Sequence, residues 1–171
     1  MSDKLYFAYG SNINLNQMAF RCPDAKVVEP VVLEDYELLF RGNRSGYGVA
    51  TIRPKEGNQV HGLLWKITDR CERSLDMYEG YPHLYGKYPV TVTNGNGKHI
   101  AVMAYIMNNE RNLAPVPPSI SYFDGIQEGF QQNGLPVKAL EQSLRQCWRE
   151  VDMLAQQKPH KKKKGWDTHE R

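Results

Sequence analysis

Residues 87–107 read KYPVTVTNGNGKHIAVMAYIM, and this stretch decides the kind of fold. Two runs rich in Val, Tyr, Ile and Thr flank Asn94-Gly95-Asn96-Gly97, whose residues tolerate positive φ. Runs joined this closely read as an antiparallel hairpin. The Gly-rich loop lacks the lysine and the following helix that a phosphate cradle needs. It reads as a turn.

Outward from the hairpin, the chain alternates short β-runs and helices. Residues 4–9 form an aromatic strand, and residues 14–20 a short helix stopped by Pro23. Residues 26–41 suggest two extended pieces broken at Pro30. GYGVATIRP and NQVHGLLWKI follow as two more β-runs. TDRCERSLDMYEGYP reads as a helix with Asp69 as N-cap, Glu72 three residues on, and Gly80 as the C′ residue. A proline-rich entry, APVPPSI, leads to a helix over residues 119–132 with Ile120, Phe123, Ile126 and Phe130 on one face. A last helix, 137–156, places Leu140, Leu144, Trp148, Val151 and Leu154 in a stripe read as core. About six strands with interspersed helices predict an α+β domain with a small closed or nearly closed sheet. No GxGxxG fingerprint follows the first strand, which argues against a dinucleotide fold.

Composition narrows the function classes. The 171 residues carry 22 Lys/Arg and 19 Asp/Glu, a formal charge of +3. Residues 158–171 hold six of the basic and two of the acidic side chains. That leaves 16 and 17, a net −1, for residues 1–157. The body is nearly neutral and the basicity is a C-terminal appendage, expected to be a mobile tail, so a nucleic-acid surface is not expected on the domain. No apolar run reaches the ~18 residues of a membrane span, and MSDKLYF has no apolar signal region. Cys22, Cys71 and Cys147 are spaced for neither zinc nor a disulfide framework and read as free thiols in a reducing cytoplasm. The domain is taken as 1–157. A homodimer is left open by the sequence.

Two places carry candidate chemistry. The first strand stops at Tyr9-Gly10-Ser11-Asn12. Gly10 permits a tight turn, Ser11 and Asn12 are positioned to cap the next helix, and N–H groups at a helix start attract an anion. A plain N-cap explains the same residues. The second place is Glu79, at a helix end before Gly80 and among Met77, Tyr78, Tyr81 and Tyr85. A helix C-terminus disfavours negative charge and aromatic neighbours desolvate it, which raises a carboxyl pKa as a general base near neutrality requires. A surface glutamate is the bland alternative. Arg44, Arg53 and His61 are read as solvated and are left out of the site.

The succession LYFAYGSN, GVATI, VHGLLWKI, SLDMYEGY and PPSISYFDGIQEGFQQNGLP resembles the gamma-glutamylcyclotransferases over roughly residues 4–140. The resemblance implies a small mixed β-barrel with flanking helices that needs no metal or cofactor and releases 5-oxoproline from a small gamma-glutamyl substrate. It implies Glu79 as the catalytic acid–base. It implies Tyr6, Phe7, Ala8, Tyr9, Gly10 and Ser11, with Asn12 adjoining, as the substrate loop, and Tyr122, just after Pro117-Pro118, as a further substrate contact. The aromatic segment GYPHLYGKY is expected on the leaving-group side. Alternatives are a gamma-glutamylamine substrate, or a barrel that binds a small molecule without turning it over.

Overall fold

The computed structural model describes residues 3–42, 45–108 and 114–157. Its strands are β1 (Lys4–Ala8), β2 (Lys26–Gly42), β3 (Gly48–Ile67), β4 (Tyr85–Asn94) and β5 (His99–Met107). Its helices are α1 (Leu15–Arg21), α2 (Asp69–Glu79), α3 (Ile120–Gln132) and α4 (Val137–Gln157), with a 3₁₀ turn at Ser11–Ile13. The strands close into a barrel in the order β1-β3-β2-β4-β5. Neighbours are antiparallel except where β5 meets β1 in parallel, Tyr6 opposite Met103. The α+β class and the closed mixed barrel expected from the sequence are what the chain forms.

The hairpin at 87–107 lies as read. Asn94 Oδ1 accepts from the amides of Asn96 (3.0 Å) and Lys98 (2.9 Å), and Gly97 takes φ 79°. The strand count differs, five rather than about six, because the two pieces at 26–41 are one strand and the two runs at 48–67 are another. Pro30 does not break β2. It lies beside the irregularity between Val27 and Glu29 and before β4 joins at Val31, where a missing N–H is tolerated. The β2–β3 ribbon bends instead at Asp35, which adopts φ 60° and accepts the Gly57 amide at 3.0 Å.

Four helix readings are corrected. The N-cap of α2 is Thr68, whose hydroxyl accepts from the Cys71 amide at 3.2 Å, and not Asp69. Asn14 caps α1, accepting from Asn16 and Gln17, while Ser11 and Asn12 lie in the 3₁₀ turn. On α4 the inward line is Leu140, Leu144, Cys147 and Val151. Trp148 and Leu154, half a turn or less away from it, are exposed. Ile120 likewise faces outward at the first turn of α3, where Phe123, Ile126 and Phe130 pack inward. The three cysteines are free and buried.

Two packing relations position the site. Gly80 ends α2 in the left-handed region (φ 63°), and the amides of Gly80 and Tyr81 return to the carbonyls of Met77 and Asp76. This stop fixes where Glu79 points. α3 lies against the 3₁₀ turn so closely that a Cβ on Gly129 would stand 2.7 Å from the Asn14 amide nitrogen. Asn133 Nδ2 adds a hydrogen bond to the Ile13 carbonyl (3.1 Å).

Candidate active site

At one end of the barrel a cavity of about 190 Å³ is lined by residues from both candidate places, Gly10, Ser11 and Asn12 with Tyr78 and Glu79. Tyr6, Tyr9, Tyr85 and Tyr105 form much of the rest of the wall, together with Tyr122 of α3. Its size suits a glutamyl group better than a drug-sized ligand, whose pockets run ~300–1,000 Å³.

The turn at 10–12 is held rigidly. Trp65 Nε1 donates to the Asn12 carbonyl (3.0 Å), and Asn12 Nδ2 donates to Tyr6 Oη (3.0 Å). Ser11 Oγ and Tyr78 Oη lie 3.0 Å apart in a hydrogen bond. The first N–H groups of a helical turn have no partner within it. Here they belong to Ser11 and Asn12, which line the cavity.

Glu79 projects from the last residue of α2 towards that turn, and its Oε1 lies 3.4 Å from Asn12 Nδ2. Among the described residues it forms no ion pair. The residue is half-buried overall, while its carboxyl lies deep among packed atoms. That burial pushes its pKa up to about 7, and the positive charge of Arg21 opposes the rise. The cavity wall around it is rich in tyrosine. Met77 and Tyr81, named with Glu79 from the sequence, are exposed. Burial also drives the phenols of Tyr6, Tyr9, Tyr85, Tyr105 and Tyr122 upward, so they stay neutral hydrogen-bonding groups.

The tyrosines are tied to the frame. Tyr9 Oη donates to the Tyr105 carbonyl. Tyr105 Oη donates to Asp76 Oδ1 at 2.5 Å. Tyr85 Oη donates to the Ala50 carbonyl (2.6 Å), while Tyr122 Oη accepts from the Ala50 amide (3.0 Å).

Of the residues named from the sequence, Tyr6, Tyr9, Gly10, Ser11, Asn12, Glu79 and Tyr122 meet on this cavity. Phe7 and Ala8 do not line it; both are buried in the barrel, with the Phe7 ring against Gly62 of β3. Of the segment GYPHLYGKY, Leu84 and Tyr85 reach the cavity, whereas Tyr81 lies outside under Lys87 (4.3 Å). Sequence reasoning missed Tyr105 and Arg21. Tyr105 carried one local sign, a hydroxyl inside an apolar strand. Arg53 pairs with Glu37 at 2.7 Å, half exposed, and His61 meets Gln59, both away from the cavity; Arg44 lies outside the described residues. A larger groove of about 550 Å³ between the β2–β3 ribbon and α4 holds none of the cavity residues. No group of three or more His, Cys, Asp or Glu able to hold a metal ion occurs among the described residues.

The sequence and the fold resemble those of known proteins. The family model "Gamma-glutamyl cyclotransferase, AIG2-like" matches residues 6–123. A curated Gamma-glutamylcyclotransferase of Bos taurus is 37% identical over 142 residues, 78% of this chain and 73% of the relative. One from Homo sapiens is 36% identical over 145 residues, 80% and 75%. A solved structure named Gamma-glutamyl cyclotransferase superposes with a TM-score of 0.75 at 32% identity, covering 83% of this chain and 86% of the other. The chain belongs to the AIG2-like gamma-glutamyl cyclotransferase family.

Proposed function

We propose that this chain is a gamma-glutamylcyclotransferase that releases 5-oxoproline and a free amino acid or amine, with Glu79 as general base and then general acid. The observation that carries the reading is a buried carboxyl, pKa about 7 and without an ion pair among the described residues, on the same glutamyl-sized cavity as the amides at 10–12.

The substrate's α-ammonium is not nucleophilic. Glu79 as carboxylate takes one proton from it, and the amine nitrogen attacks the γ-carbonyl carbon to close a five-membered ring. The protonated Glu79 returns its proton to the departing nitrogen as the bond from the γ-carbon to that nitrogen breaks. The restored carboxylate takes the second proton from the ring nitrogen, and that proton leaves on the released amine as its ammonium. A pKa near neutrality suits these transfers. Because attack is intramolecular, the enzyme's main task is to hold a cyclisation-ready shape, worth up to ~7–11 kcal/mol in favourable cases. The Ser11 and Asn12 amides are the candidates to hold the α-carboxylate or the developing oxyanion; a donor to an oxyanion is worth ~3–4 kcal/mol. Neutral phenols of Tyr85, Tyr105 and Tyr122 supply further polar contacts.

No cationic side chain lines the cavity among the described residues. A carboxylate on the leaving group would gain no ion pair there, which keeps the gamma-glutamylamine reading in play beside that of gamma-glutamyl amino acids. Comparing wild type with Glu79→Gln on both substrate panels tests the proposal, with 5-oxoproline measured directly. The expected loss in the variant is ~100-fold or more with binding retained. Comparable rates would remove Glu79 from the mechanism.

A further inference from the structure

Arg21, the last residue of α1, belongs to no predicted site and does not line the cavity, yet its guanidinium stands behind both halves of it. Nη1 donates to Asn12 Oδ1 at 2.8 Å and Nη2 to Gln17 Oε1 at 3.0 Å. Its Cζ lies over the Tyr78 ring, 3.7 Å from the centroid. Each contact has a consequence at the site. A guanidinium has only donors, so it must face the oxygen of the Asn12 amide. The Asn12 NH₂ is thereby turned towards Tyr6 Oη (3.0 Å) and Glu79 Oε1 (3.4 Å). The cation–π contact holds Tyr78, whose hydroxyl meets Ser11 Oγ at 3.0 Å, next to Glu79 in sequence.

We propose that Arg21 is a positioning residue for the acid–base Glu79: by fixing the Asn12 amide and pinning the Tyr78 ring, it locks the turn at 10–12 and the end of α2 into one geometry across the cavity. The proposal rests on the cyclotransferase reading above. The other ionisable groups on the cavity wall are phenols: Tyr78, beside Glu79 on α2, and Tyr6 of β1, Tyr9, Tyr85 of β4, Tyr105 of β5 and Tyr122 of α3, these last five kept neutral by burial. Arg21 is therefore the fixed charge that Glu79 feels, and it acts to hold the carboxyl pKa down.

Lysine and arginine are not equivalent in this role. A lysine keeps the charge but has no planar fork to bridge Asn12 and Gln17 while its head lies over a ring. The test is the pH profile of 5-oxoproline release for wild type, Arg21→Lys and Arg21→Met. A ¹³C-carboxyl titration of Glu79 and a thermal melt are run on each. In R21K the acid limb should stay close to wild type while the plateau falls ~10-fold or more from lost alignment. In R21M the plateau should fall as well, and the limb should move up by about one pH unit. An R21K plateau equal to wild type overturns the proposal, and it decides alone if R21M does not fold. If the wild type releases no 5-oxoproline, the parent reading fails while Arg21 is still judged by the titration: an R21M curve superposable on wild type overturns its role, and an upward shift supports it.

Discussion

Asn12 Nδ2 lies 3.4 Å from Glu79 Oε1, although the two residues are 67 positions apart. A single long hydrogen bond compensates little of the cost of burying a carboxylate, which is why desolvation prevails and the pKa rises to about 7. A group held ready to take a proton at neutral pH is also a group that weakens the fold once ionised.

That cost is measurable. The folded pKa of Glu79, about 7, exceeds its ordinary value of 4.5, so between those pH values the folded state binds more protons than the unfolded chain. Stability must then fall as pH rises through this window, by up to about 3 kcal/mol from this residue. Glu79→Gln should flatten the decline and be more stable than wild type at pH 8, with little difference at pH 4. Urea melts at the two pH values check this. A variant less stable than wild type at pH 8 would mean that the carboxylate is stabilised in the fold.

Tyr85 and Tyr122 hold the same residue of β3, through the carbonyl and the amide of Ala50. Tyr85→Phe leaves the carbonyl, and Tyr122→Phe the amide, without its buried partner, at a cost of about 1–3 kcal/mol each. Because the two share Ala50, the double variant should depart from additivity by about 0.5 kcal/mol or more. Denaturant midpoints of the three variants decide it, and strict additivity would mean that Ala50 is held by other contacts.

Local rules exposed the features that depend on local chemistry. A glutamate before a C′ glycine, and a strand ending in Gly-Ser-Asn, are visible because caps and turns are decided within a few residues. Barrel closure is different: it rests on the parallel meeting of Tyr6 with Met103, nearly a hundred positions away. No periodicity announces that contact, so Tyr105 could not be assigned to the cavity. Arg21 was hidden for the same reason, since Asn12 and Tyr78 meet it only after α1 and α2 pack together. The misplaced caps have a subtler cause. Thr68 and Asp69 are adjacent and both are good cap residues, so propensity alone cannot rank them. Trp148 and Leu154 share helical spacing with Leu140, but the barrel surface receives a narrower stripe of α4 than the sequence offers.

The basic segment 158–171, expected to be a mobile tail, lies outside the described residues. Every described residue lining the cavity lies between positions 6 and 122, and the fully buried side chains of α4 are Leu140 and Cys147. Truncation after Gln157 should therefore leave kcat/KM and melting temperature unchanged. Loss of turnover in a truncated protein with an unaltered melt would give the basic segment a part in the reaction.

The approach of α3 to the 3₁₀ turn provides the sharpest link between packing and chemistry. A Cβ at Gly129 would stand 2.7 Å from the Asn14 nitrogen and 2.9 Å from the Ile13 carbonyl carbon. Both are backbone atoms that cannot rotate away, so Gly129→Ala must push the turn or the helix aside, at about 1–3 kcal/mol. Moving the turn displaces Ser11 and Asn12 relative to Glu79, and kcat should drop well beyond what the stability loss explains, since misplacement by ~1 Å can cost ~100-fold. Ile126→Val, fully buried on the same helix, is the control: it should lose about 0.5–1.5 kcal/mol without touching the turn and keep wild-type turnover well below its melting temperature. Equal turnover in the two variants would show that α3 supports the fold without setting the geometry of the site.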